Sequence, residues 1–138
     1  MARLALLIFL CFISTSLAKT FSKCELVYEL RRQGFPEHLM KDLVCLIGES
    51  SSYRTHVIGG PDPDGSYNYG LFQINNFYWC SSGPYPGNTC NVRCEDLRSD
   101  DITVASNCAK IILNTRGLQA WVAWDKFCKP YRLPELGC

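Results

Sequence analysis

Neither sign of charge dominates this sequence: 14 Lys plus Arg oppose 13 Asp plus Glu, for a formal charge of +1, and only 20% of residues are charged. That balance excludes a disordered charged tail and a nucleic-acid binder with a dense basic face. The length, 138 residues with 47% apolar, suits one ordinary domain and excludes a two-domain enzyme. Repeats and linker-like stretches are lacking as well. The longest apolar run, Leu4 to Ile13, has ten residues. A helix of that length spans about 15 Å, half of the roughly 30 Å hydrocarbon core, so a membrane anchor is not expected. Histidine is scarce. His38 and His56 are not paired at ligand spacing, and Cys90 and Cys94 have no second close cysteine pair, so neither zinc nor any other cofactor is expected.

What the chain has in excess is cysteine, nine residues in all. Arg3, the apolar run, and then Ser14, Thr15, Ser16, Leu17 and Ala18 have the layout of a secretory signal peptide cleaved after Ala18. Its removal takes away Cys11 and leaves residues 19–138 with eight cysteines. An even count in a short exported chain predicts a disulfide framework, and spacing alone leaves about 105 connectivities open. The expected location is extracellular.

Hydrophobic periodicity supplies the elements. Ser22 and Glu25 form a capping box, and Cys24, Val27, Tyr28 and Leu30 recur at helical spacing until Gly34, which predicts a helix over 23–33. After Pro36, Leu39, Leu43, Leu46 and Ile47 predict a second helix ending near 50. The turn formers from Gly59 to Ser66, followed by Tyr67, Tyr69, Leu71, Phe72 and Ile74, predict a small antiparallel sheet. Cys80 to Cys94 reads as a crosslinked loop. Ile102, Ala105, Ala109, Ile112 and Leu113 predict a third helix from about 101 to 114, with Ser99 or Asp100 as its cap, and Ala120 to Phe127 a shorter one stopped by Pro130. The fold class is α+β.

Several local motifs are specific: Lys19-Thr20-Phe21, Ser51-Ser52-Tyr53-Arg54-Thr55, Asp64-Gly65-Ser66, Tyr69 to Asn75 running on to Trp79-Cys80, Ser99-Asp100-Asp101-Ile102, Asn107 to Lys110, and Ala120 to Trp124. With cysteines at 24, 45, 80, 90, 94, 108, 128 and 138, the chain resembles the chicken-type lysozymes and their relatives the α-lactalbumins, insect members above all. The resemblance implies a mainly helical, two-lobed domain with a small sheet. It also implies bridges joining Cys24 with Cys138, Cys45 with Cys128, Cys80 with Cys94 and Cys90 with Cys108. The cleft between the lobes would bind polymers of N-acetylglucosamine and N-acetylmuramic acid.

At the catalytic positions the chain departs from that family. Lysozymes are the standard example of glycoside hydrolysis by two carboxyl groups, one protonating the leaving oxygen and the other supporting or attacking the anomeric carbon. The first belongs five residues after the second cysteine, where this chain has Ser50, and the second belongs just before Tyr-Gly, where it has Asn68. Neither side chain can replace a carboxyl group in those roles. Glu49 sits one place early, about 100° around the helix from Ser50. Asp62 and Asp64 read as turn formers. A surviving, weak muramidase would have to use Glu49 or one of these turn aspartates.

The sugar-holding positions are better kept. By resemblance the Asn75 amide and the Ala120 carbonyl would hold an N-acetyl group, Tyr78 and Trp79 would offer faces and polar edges to sugar rings, and Gln73, Trp121 and Val122 would complete the wall. Trp124 reads as core. Calcium-binding relatives place carboxylates where this chain has Ser99, Val104 and Ala105, so no calcium site is expected. The sequence thus reads as a secreted, monomeric binder of N-acetylglucosamine-containing glycans, its rivals being a weak muramidase and a modulator of a protein partner.

Overall fold

The structure is a computed structural model and describes Ile8 and residues 18–138. The predicted signal peptide, apart from Ile8 and Ala18, lies outside the described residues.

Helix α1, Lys23–Arg32, starts where Ser22 Oγ accepts the Glu25 N–H at 3.3 Å, which satisfies one of the free amides of the first turn. Leu26, Val27 and Leu30 are fully buried, whereas Tyr28 is 69% exposed. Tyr28 shares the helical spacing but points outward, because the inner stripe is centred on Leu26 and Leu30, four residues apart. At Gly34, φ +84 lets the chain fold back so that the Phe35 N–H reaches Leu30 O at 3.1 Å.

A 3₁₀ turn at Glu37–Leu39 leads into α2, Met40–Ser51, whose Leu43, Leu46 and Ile47 are fully buried. The helix stops at Ser52 and Tyr53, both left-handed, at φ 53 and 64. Ser50 therefore sits in the last turn of a well-anchored helix.

Three two-residue strands, β1 (Ile58–Gly59), β2 (Asn68–Tyr69) and β3 (Ile74–Asn75), form an antiparallel sheet in sequence order. Its register sets Asn68 opposite Asn75 and Tyr69 opposite Ile74. The strands are shorter than the β-prone residues suggest because Leu71 and Phe72 lie in a buried turn between Gly70, at φ 75, and Gln73, at φ 48.

The segment from Cys80 to Cys94 has isolated bridges only and ends in a 3₁₀ turn at Cys94–Arg98. Helix α3, Thr103–Arg116, buries Ala105, Ala109 and Ile112, and a 3₁₀ turn at Leu118–Ala120 joins it to α4, Val122–Phe127. Neither Ser99 nor Asp100 caps α3. Asp101 Oδ1 accepts the Thr103 N–H at 2.9 Å, while Asp100 is drawn to the segment before α1, where it accepts the Lys19 N–H at 2.9 Å.

Disulfides join Cys24 to Cys138, Cys45 to Cys128, Cys80 to Cys94 and Cys90 to Cys108. The first two tie the amino-terminal helices to the end of the chain, and the last pins the long loop to α3. One core, built on Leu26, Leu30, Leu43, Leu46, Phe72 and Ile112, runs from the helices to the base of the sheet.

Candidate functional site

Helices α2, α3 and α4 face the sheet across a cleft of about 790 Å³, lined on one side by Ser50, Ile112, Arg116, Ala120, Trp121, Val122, Ala123 and Lys126 and on the other by Asp62, Pro63, Asp64, Asn68, Gln73, Ile74, Asn75, Tyr78 and Trp79. Every site residue expected from the sequence lines it: Ser50, Asn68, Gln73, Asn75, Tyr78, Trp79, Ala120, Trp121 and Val122. Positions 70 residues apart converge because α2 and α4 pack together and Cys45–Cys128 fastens them.

The helical wall is firm at its base. Trp121 is buried, and its indole N–H donates to Phe72 O at 2.8 Å, joining the start of α4 to the turn that precedes β3. Ser50 is half-buried on that wall, whereas Glu49 is exposed and does not line the cleft. Burial first, and the Glu49 charge second, push the Tyr53 hydroxyl above its usual pKa. Trp124 stands behind the wall, half-buried, with its indole N–H on Asp42 Oδ1 at 2.8 Å.

The sheet wall is a closed polar network. Asn68 Nδ2 donates to Asp62 Oδ2 at 3.0 Å, and Asn68 Oδ1 accepts from Asn75 Nδ2 at 3.1 Å. Asn75 Nδ2 also reaches Ser66 Oγ at 2.8 Å, and Asn75 Oδ1 accepts the Phe77 N–H at 2.7 Å. The Ser66 hydroxyl and its main-chain N–H both donate to Asp64, which holds that carboxyl below the usual carboxylate range. The side chains of Asn68 and Asn75 are thus engaged at both ends.

Gln73 lines the cleft as a brace. Its Nε2 donates to Val57 O and Gly70 O, both at 3.0 Å, which uses its two N–H groups on the main chain.

Aromatic surface is graded along the sheet wall. Trp79 is 8% exposed and Tyr78 54%. Phe77 meets Tyr78 edge-on with ring centres 4.6 Å apart, and the Arg116 guanidinium lies 5.7 Å from the centre of the Tyr78 ring.

Arg116 and Lys126 were not singled out in the sequence. Arg116 lies beyond the predicted end of α3 at 114; two further helical residues carry it to the cleft. Asp62 and Asp64 read as turn residues in sequence, and they do shape the turn, but both also line the cleft. Among the described residues, no three His, Cys, Asp or Glu side chains gather at metal-ligand distance. Asp96 pairs with Arg93, Asp100 meets Lys19 and Thr55, and Asp101 holds Thr103.

Comparison with known proteins places this geometry. The model of the C-type lysozyme/alpha-lactalbumin family matches residues 19–138. The lysozyme of Galleria mellonella is 48% identical over 118 residues, covering 86% of this chain and 98% of that protein. The lysozyme of Antheraea mylitta is 53% identical over 110 residues, covering 80% and 92%. Among solved structures, that of a canine milk lysozyme stabilised against non-enzymatic deamidation aligns with a TM-score of 0.75 at 36% identity, over 83% of this chain and 93% of that one.

Proposed function

Because the chain belongs to the C-type lysozyme/alpha-lactalbumin family, we propose that it is a secreted, monomeric, non-hydrolytic binder of N-acetylglucosamine-containing glycans, either peptidoglycan or chitooligosaccharide. One observation carries the reading. The cleft keeps its aromatic and polar walls, while the two positions from which the family's resemblance implies carboxyl groups hold Ser50 and Asn68.

The chemistry follows from those two groups. Hydrolysis of a glycosidic bond needs a proton for the departing oxygen, and a serine hydroxyl does not release one near neutral pH. Trp121 would desolvate a carboxylic acid on the facing helix and raise its pKa; Ser50 gives it no acid to act on. Across the cleft, Asn68 carries no charge to steady an oxocarbenium-like centre, and its amide is held by Asp62 and Asn75. A positioned general acid alone is worth about 10² to 10⁴ in rate. Binding survives this loss because it draws on other groups: the Tyr78 and Trp79 rings and the main chain at Asn75 and Ala120.

Secretion is supported by the leader-like segment ending at Ala18 and by the disulfide framework. Among the described residues, no helix is long and apolar enough to cross a membrane.

The test pairs two assays on the refolded 19–138 chain: lysis of a peptidoglycan suspension and binding of chitotriose by calorimetry. The expected result is binding without lysis, with lysis appearing in the Ser50→Glu/Asn68→Asp variant. Lysis by the unmodified chain at the rate of an active lysozyme overturns the reading, as does the absence of any sugar binding.

A further inference from the structure

The cleft separates its charges. Asp62 and Asp64 stand on the sheet wall, and Arg116 and Lys126 on the helical wall. The carboxylates already have neutral donors in Asn68 and Ser66. Arg116 differs from the other arginines for which ion pairs are formed: Arg31, Arg32, Arg93 and Arg98 each meet a Glu or Asp, whereas among the described residues no carboxylate lies within ion-pair distance of Arg116. Its guanidinium instead rests against the Tyr78 ring, 5.7 Å from the centre.

A guanidinium placed over an aromatic ring, with no carboxylate partner of its own, keeps N–H donors available for a forked pair with a carboxylate. Tyr78 is one of the rings to which a bound glycan is proposed to present a sugar, so the fork stands beside that sugar's substituents. A neutral N-acetylglucosamine unit offers hydroxyl and acetamido groups only. A hexosamine bearing an ether-linked carboxylate, such as N-acetylmuramic acid, offers the group that matches the fork.

We infer that Arg116 is the specificity residue of the cleft, selecting acidic glycans over neutral ones by pairing with a carboxylate on the sugar that meets Tyr78. This rests on the glycan-binding reading and goes beyond it by naming the charge of the ligand and the residue that reads it. The helix-end position of Arg116 also complements the α3 dipole, a structural role that any cation would fill and that carries no preference between two sugars.

The experiment measures two affinities by calorimetry at low and high salt: that for chitotetraose and that for the tetrasaccharide of alternating N-acetylglucosamine and N-acetylmuramic acid. The variants are Arg116→Gln and Arg116→Lys. A charge-assisted hydrogen bond predicts a preference for the acidic sugar of about tenfold or more, reduced by salt. It should fall to near unity in Arg116→Gln and take an intermediate value in Arg116→Lys, which keeps the charge and loses the fork. Equal affinities in the unmodified chain, or a preference that persists in Arg116→Gln, overturn the inference while leaving glycan binding intact. Failure of both sugars to bind overturns the binding reading itself, and this inference with it.

Discussion

The main-chain nitrogen of Lys19 donates to Asp100 Oδ1 at 2.9 Å, across 81 positions of sequence. Thr55 completes the junction: its hydroxyl donates to the same oxygen at 2.8 Å, and its N–H donates to Lys19 O at 3.0 Å. Lys19 is thereby fastened to the segment that leaves α2 toward the sheet, and to the turn that precedes α3. The Lys19 N–H first, and the Thr55 hydroxyl second, hold the Asp100 carboxyl below its usual value.

A group whose pKa is lower in the folded than in the unfolded state adds stability above its unfolded pKa and loses it as pH falls through the folded one. Asp100→Asn should therefore lower the melting temperature at neutral pH, and its deficit against the unmodified chain should close as pH drops below about 4. On the proposed cleavage after Ala18, the Lys19 nitrogen becomes an ammonium at the same place and the bond becomes an ion pair. A chain that retains Ala18 should then melt lower than one that begins at Lys19, with the difference shrinking in an Asp100→Asn background. A constant difference across the cycle would separate the effect from Asp100.

Restoring catalysis meets an obstacle that the sequence alone hides. Asn68→Asp sets a carboxylate oxygen about where Nδ2 now stands, 3.0 Å from Asp62 Oδ2. Two carboxylates at that distance do not both ionise readily, so the pair holds a proton to higher pH and the new aspartate is partly neutral where it is needed charged. Adding Asp62→Asn to Ser50→Glu/Asn68→Asp should raise the rate of peptidoglycan lysis at neutral pH and move the rising limb of the pH profile to lower pH. Identical profiles for the double and triple variants would show that Asp62 exerts no such repulsion.

The helices were legible because Leu43, Leu46 and Ile47 repeat at the spacing that burial requires, and the cleft floor was legible through the resemblance of residues such as Trp79 and Trp121. What escaped depended on partners distant in sequence or on loop curvature. Ser99 or Asp100 reads as the cap of α3, but Lys19 and Thr55 take Asp100, and Asp101 instead accepts the first-turn N–H of Thr103. Asp62 reads as turn chemistry until the chain curls back at Gly60, φ +105, and brings it to Asn68. Tyr28 shares the helical period yet is exposed, because an aromatic residue can satisfy that period on either face of a helix.

Two glycines with the same left-handed conformation should respond unequally to alanine. Gly70, at φ +75, has Leu97 O within 1.9 Å of where a Cβ would stand, whereas Gly65, at φ +82, has nothing within 4 Å. Gly65→Ala carries only the conformational penalty, about 1 to 2 kcal/mol. Gly70→Ala adds an overlap with backbone that cannot swing aside, for a total of about 3 kcal/mol or more. Urea unfolding of both variants checks the ranking; equal midpoints would mean that the segment at Leu97 yields.

Trp121 and Trp124 look alike in sequence, three residues apart, yet their indole N–H groups are spent differently. Trp121 donates to Phe72 O in a buried setting, and Trp124 to the partly accessible Asp42 carboxylate. Replacing either by Phe keeps an aromatic ring and removes the donor. In Trp121→Phe the Phe72 carbonyl loses its indole partner where water does not reach it, a loss of about 1 to 3 kcal/mol. In Trp124→Phe solvent can satisfy Asp42, and the loss should stay below about 1 kcal/mol. Because the Trp121 bond joins the helical wall to the turn entering β3, its removal should also weaken chitotriose binding, whereas Trp124→Phe should leave binding intact. Comparable urea midpoints and comparable affinities for the two variants would show that the Trp121 bond does not hold the walls in register.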